Sequence, residues 1–172
     1  MAFFLAVRPP RLTAEVLAAG VADAAGSLRP EPPEHLHVTL RYFGRLDDSE
    51  LARIGATLDE LSDAASSPPI ELGPRSMLLG RDGALVLPAT GVDLLAADID
   101  QAFLGLDLAP RDLPFFGHLT LARRRDRQPI PADRVGQEMG ASFIPEAIEL
   151  LDSALVAGTT SYSCRKRAAF AS

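Results

Sequence analysis

The spacing of apolar residues along the chain changes several times, and each change marks an element. Residues 2–7 form an unbroken apolar run ended by Arg8-Pro9-Pro10, the pattern of a buried strand. Thr13 then caps a helix to about Ala25, with Val16, Leu17 and Val21 on one stripe. A stiff proline-rich turn over 29–33 feeds a strand predicted over His35–Phe43 and closed by Gly44. Asp47 and Glu50 form a capping pair for a helix from Asp48 to about Ala64, whose Leu51, Ile54, Leu58 and Leu61 recur at steps of three and four.

The middle of the chain reads as strand again. Ile70–Leu79, broken at Gly73-Pro74, and Ala84–Pro88 are joined by a hairpin signal over 80–83. A helix is predicted from about Val92 to Leu106, carrying Leu94, Leu95, Ile99 and Phe103. A strand from His118 to about Arg124 follows, then a short helix over Asp133–Met139 and two closing strands, Ala147–Val156 and Ser161–Phe170. Strands interleaved with single helices in one chain of 172 residues predict a single α+β domain over 1–172.

Two of the predicted strands open with the same spelling. His37-Val38-Thr39-Leu40 and His118-Leu119-Thr120-Leu121 use two of the three histidines and lie 81 residues apart, close to half the chain. Side chains at i and i+2 of a strand share a face, so each copy offers a histidine and a threonine together while Val38 and Leu40, or Leu119 and Leu121, enter a core. The spacing predicts two related lobes, each giving one His/Thr strand to a shared cleft. Two imidazoles that titrate near neutrality can serve one reaction as acid and base, and two hydroxyls can hold the oxygens of a phosphate. That arrangement requires neither a metal nor a cofactor. By the same alternation Arg41 continues the face of His37 and Thr39. Arg124 is in phase with His118 and Arg123 is not, unless a bulge intervenes.

Composition narrows the partners. A formal charge of −6 and a pI near 5.0 argue against broad nucleic-acid binding, but not against a small anion held by local arginines. Cys164 is the chain's one cysteine, so no internal disulfide forms and a reducing, cytoplasmic setting is expected. No apolar run is long enough to cross a bilayer. No obligate protein partner is evident, and a monomer is the default. His35-x-His37 shares a strand face in this reading but lacks further ligands for a metal, which makes His35 a rim residue. Phe115 and Phe116 fit the core better than the cleft mouth, and Arg165-Lys166-Arg167 reads as a charged edge on the last strand.

The paired motifs resemble those of the 2H phosphoesterases, in particular the bacterial RNA 2′,3′-cyclic phosphodiesterases, also called 2′-5′ RNA ligases. The likeness extends over the opening apolar strand with Pro9-Pro10, the block from Leu36 to Gly44, the stretch from His118 to Arg123, and Ser153-Ala154-Leu155 with Gly158 and Tyr162. It implies a bilobal, pseudo-symmetric fold with two antiparallel sheets flanking a central cleft and helices outside. It also implies metal- and ATP-independent opening of an RNA 2′,3′-cyclic phosphate to a 2′-phosphomonoester, reversible as 2′-5′ ligation. His37 would then be the acid and His118 the base, with Thr39, Thr120, Arg41 and either Arg123 or Arg124 binding substrate. Two other readings stand beside it: a 2H phosphodiesterase for small cyclic nucleotides or 2′-5′ oligoadenylates, and a non-catalytic RNA- or nucleotide-binding module. The chain departs from the family in having no Trp, Ala2 at an often basic position, and His35 where Asn is common.

Overall fold

A computed structural model describes residues 1–22, 26, 28–80, 83–106, 108, 111, 113–125, 128–156 and 159–171. Among them are ten strands: β1 (Ala2–Val7), β2 (Leu28–Pro30), β3 (Val38–Gly44), β4 (Ile70–Leu72), β5 (Met77–Leu79), β6 (Ala84–Thr90), β7 (His118–Arg124), β8 (Ala141–Phe143), β9 (Ala147–Val156) and β10 (Thr159–Ala169). The helices are α1 (Arg11–Ala22), α2 (Asp48–Ala64) and α3 (Asp93–Ala102). The fold is a curled antiparallel sheet with three helices.

The sheet has two matching halves. Outward from its middle it runs β3-β1-β9-β10 on one side and β7-β6-β4-β8 on the other, with β2 beside β7 and β5 beside β6. β3 and β7 join through one bridged pair, Val38 opposite Leu119. The helices cover one face and exchange halves: α1 packs against β7 and β8, and α3 against β3. α2 lies over β9 and β10. Between helices and sheet sits the main core, built on Leu5, Val7, Val38, Leu40, Leu87, Leu119 and Leu121. Phe4 and Ala6 leave β1 on the opposite, open face, where they cluster with Leu151 and Tyr162.

Where periodicity is strong, expectation and structure coincide. α2 starts and ends where its pattern predicts, and Asp47 and Glu50 cap each other's backbone reciprocally. Several expectations need correction. α1 begins at Arg11, directly after Pro10, and buries Ala14, Leu17 and Val21 while Val16 is exposed. The strand expected from His35 begins at Val38, because Pro33–His35 forms a 3₁₀ turn. The predicted helix over Asp133–Met139 is a 3₁₀ turn at Ala132–Arg134 followed by the bridge of Arg75 to Glu138. The predicted end of the first helix at Ala25, the hairpin tip at Arg81-Asp82, and Gly158 lie outside the described residues.

Candidate active site

The site grows from the one bridge found between the halves among the described residues. With Val38 opposite Leu119 in antiparallel register, one step further either way sets His37 opposite Thr120 and Thr39 opposite His118. The four side chains therefore occupy one face, each histidine beside its own threonine along the strand and the other motif's threonine across it. Val38 and Leu119, pointing the other way, are fully buried in the core.

Both imidazoles are oriented in the same manner. His37 Nδ1 lies 2.6 Å from the carbonyl of His35, and His118 Nδ1 lies 2.9 Å from that of Phe116. A carbonyl oxygen can only accept, so each Nδ1 carries the hydrogen and donates it. A ring anchored in this way directs Nε2 away from its backbone anchor.

Each strand also carries an extra residue immediately after its threonine. On β3, Thr39 faces Ala6 but Arg41 faces Leu5, so Leu40 is bulged. On β7, Thr120 faces Val86 but Ala122 faces Leu85, so Leu121 is bulged. A bulge reverses the facing of every later side chain. This overturns the phase argument for Arg41, which turns away from His37 and Thr39 to the helix-covered side. There it is buried and pairs with Asp100 of α3 at 2.7 Å. The same reversal resolves the pair left open on the second strand. Arg123 takes the open face, opposite Arg29 of β2 and Ala84 of β6, and Arg124 takes the other, opposite the buried Leu28. Tyr42, in the position matching Arg123, is exposed on the open face opposite Phe4.

The walls of the two histidines differ. His37 packs against Phe4 and Tyr162, with ring centres 5.1 and 5.2 Å away. Burial drives its pKa down to about 4; the hydrogen bond to the His35 carbonyl opposes this, while Arg8, Arg123 and His35 add to it. Arg8 follows Val7, which is opposite Val38, so the register carries it beside His37. It is held by Glu149 at 3.0 Å and donates to the Glu34 carbonyl at 2.9 Å. Arg123 is anchored by Glu31 at 2.8 Å, and its charge acts on the Tyr162 phenol. Burial pushes the Tyr162 phenol up, against the pull of Arg123. His118 instead stacks with Phe116 at 5.7 Å, a ring that is 45% exposed, and has Pro88 opposite it.

Of the residues singled out from sequence, His37, Thr39, His118, Thr120 and Arg123 come together; Arg41 and Arg124 do not. His35 sits at the rim, edge-on to Tyr162 at 4.9 Å and 3.6 Å from Glu31. Phe115 packs against the core, and Phe116 lies at the site, contrary to its expected burial. Arg165, Lys166 and Arg167 pair with Asp152, Asp59 and Glu146 on the edge strand β10. Phe4, Arg8 and Tyr162 join the site without having been assigned to it from sequence, Tyr162 having figured only in the family likeness. The signal for the first two was available: if Phe3, Leu5 and Val7 face one core, then Phe4, Ala6 and Arg8 share the other face. Among the described residues, no group of three or more His, Cys, Asp or Glu side chains is placed to hold a metal. Among them too, no helix is long and apolar enough to cross a membrane.

The chain is similar to known proteins in sequence over its first part and in fold throughout. Residues 5–73, which contain the first motif, match the family model of LigT like Phosphoesterase. Over 99% of the chain and 98% of theirs, the structure matches TT0787 of Thermus thermophilus (25% identity, TM-score 0.82) and E. coli LigT complexed with 3′-AMP (21% identity, TM-score 0.75). It also matches the MHV ns2 PDE domain over 87% of this chain and 98% of that one, at 14% identity and a TM-score of 0.65. No curated protein sequence matches the chain. The resemblance carried by the paired motifs is thus met by a family match over the first of them and by a LigT-like fold from end to end.

Proposed function

We propose that this chain is a LigT-like phosphoesterase of the 2H superfamily that hydrolyses 2′,3′-cyclic phosphate ends of RNA to 2′-phosphomonoesters, with His37 and His118 as acid and base. The observation that carries the proposal is the square of His37, Thr39, His118 and Thr120 on one face, with both imidazoles anchored through Nδ1. A phosphate seated between them receives the Thr39 and Thr120 hydroxyls on its non-bridging oxygens. His118 Nε2 takes a proton from the attacking water, and His37 Nε2 gives one to the departing 3′-oxygen. Water's oxygen forms the new bond to phosphorus as the bond to O3′ breaks, leaving the 2′-phosphomonoester. Run backwards, with a 5′-hydroxyl in place of water, the same groups would make a 2′-5′ bond. Arg123 adds a cation at the edge of the square. E. coli LigT, which shares the fold, has been crystallised with 3′-AMP, ATP and NADP+, so nucleotide-sized ligands suit this architecture.

One observation favours the opposite division of labour. A histidine with a pKa near 4 enters the reaction neutral, as a base does, so an acid role for His37 needs a proton taken up with the anionic substrate. Leaving-group chemistry separates the two assignments. A p-nitrophenyl phosphodiester departs without protonation, so it restores turnover to the variant lacking the acid and not to the variant lacking the base. Rescue of His37→Ala supports His37 as the acid, and rescue of His118→Ala reverses the roles. The activity itself is tested by incubating the protein with a nucleoside 2′,3′-cyclic phosphate and with an RNA bearing that end, EDTA present, and identifying the monoester. No turnover of either substrate rejects the proposal. Turnover of the nucleoside alone moves it to small cyclic nucleotides.

A further inference from the structure

The two bulges behind the threonines raise a question of support. A bulged residue falls out of the ladder, so its carbonyl needs another donor to stay in place. The bulged carbonyls of Leu40 and Leu121 both receive one, each from the segment that leads into the other motif. The backbone N–H of Glu31, six residues before His37, donates to the carbonyl of Leu121 at 2.8 Å. The guanidinium of Arg111, seven residues before His118, donates to the carbonyl of Leu40 at 2.8 Å. The second brace is a charged side chain held rigidly: Asp100 of α3 takes both Nε and Nη2 of Arg111 at 3.0 Å, and its other cation is Arg41 at 2.7 Å. Arg111 also lies over the ring of Phe115, 5.1 Å away, in the stretch that enters the second motif.

We infer that Arg111 is a positioning residue for the reaction proposed above, fixing the bulge at Leu40 so that His37 and Thr39 are aimed at the phosphate shared with His118 and Thr120. β3 and β7 touch through one bridged pair, so the backbone ladder alone leaves the angle between the motif strands weakly determined. Arg111 bears on both sides of that joint, through Leu40 on one and Phe115 on the other. The sequence offers no sign of this, because Arg111 belongs to neither motif. Its counterpart on the other side is a main-chain group that any residue but proline would supply.

The experiment compares Arg111→Ala, Arg111→Lys and Asp100→Asn with the wild type on a nucleoside 2′,3′-cyclic phosphate. Misplacing a reacting group by about 1 Å costs on the order of 10²-fold, so kcat of Arg111→Ala is expected to fall roughly 10- to 100-fold with KM within about threefold. Arg111→Lys, which retains one charged donor, recovers part of kcat, and millimolar guanidinium added to Arg111→Ala does the same. In parallel, the imidazole NMR signals of His37 move in Arg111→Ala while those of His118 move less. Unchanged kcat together with an unmoved His37 signal overturns the inference, as does a loss confined to KM. Should Arg111→Ala fail to fold, Arg111→Lys and Asp100→Asn decide the matter through the same kcat and NMR readouts. A wild type without turnover rejects the proposed activity and leaves the NMR comparison to judge Arg111 alone.

Discussion

The first half of the sheet aims His37 with the same devices that the second half uses for His118. Each has a threonine two residues on, a bulged leucine after it, and a ring nitrogen tied to the carbonyl two residues back. What surrounds the rings is not shared. His37 is walled by Phe4 and Tyr162 beside Arg8, whereas His118 has Phe116 and Pro88. Backbone symmetry thus sets where the two rings stand. The neighbouring side chains lower the proton affinity of His37.

The largest expected break in the comparison comes from removing either ring. His37→Ala and His118→Ala should each lower kcat by about 10²- to 10⁴-fold, the range of a general acid or base. Steady-state kinetics on a nucleoside 2′,3′-cyclic phosphate checks this, and near-equal losses mean that both halves act in one step. The threonines come next. Thr39→Val and Thr120→Val keep shape but remove one donor each, for an expected loss of about 10²-fold in kcat. A loss appearing only in KM would assign the hydroxyls to binding instead.

Stability against pH probes the asymmetry without substrate. The folded pKa of His37 lies near 4, below the ordinary 6.5, so the unfolded chain binds the proton first as the solution is acidified. This group's contribution is therefore complete above pH 6.5 and is lost as the pH falls toward 4, by at most about 3 kcal/mol. Urea unfolding at about pH 7 and about pH 4.5 should show that part of the decline missing from His37→Gln. Equal declines in both proteins would contradict the burial argument. The smallest effect concerns the arginines: Arg123→Gln should raise KM several-fold and reduce its salt dependence, and Arg124→Gln should do less. The reverse order would mean that β7 has no phase change at Leu121.

Long elements with strong periodicity were legible in the sequence. β1, α2 with its capping box, β7 and β9 fall where the pattern sets them. Three-residue strands such as β2 and β8 carry no period, and the edges they pair with create them. The centre of the site was legible for a similar reason, since alternation places His37 with Thr39 and His118 with Thr120. Beyond the threonines alternation misled, because one extra residue at Leu40 reverses Arg41 and nothing in the local spelling marks it. The position of Arg111 depends on contacts between distant segments, which no single stretch encodes.

The order of strands also has a consequence for how the chain comes together. β1 lies between β3 and β9, so one of its edges waits for a partner made near the end of synthesis. The wall of His37 is split likewise, with Phe4 from the first strand and Tyr162 from the last. On a ribosome, the first motif therefore emerges early but gains its buried setting only when β9 and β10 close over β1. Contacts so distant in sequence form slowly. Until then the ring of His37 stays in water, with the proton affinity of any free histidine.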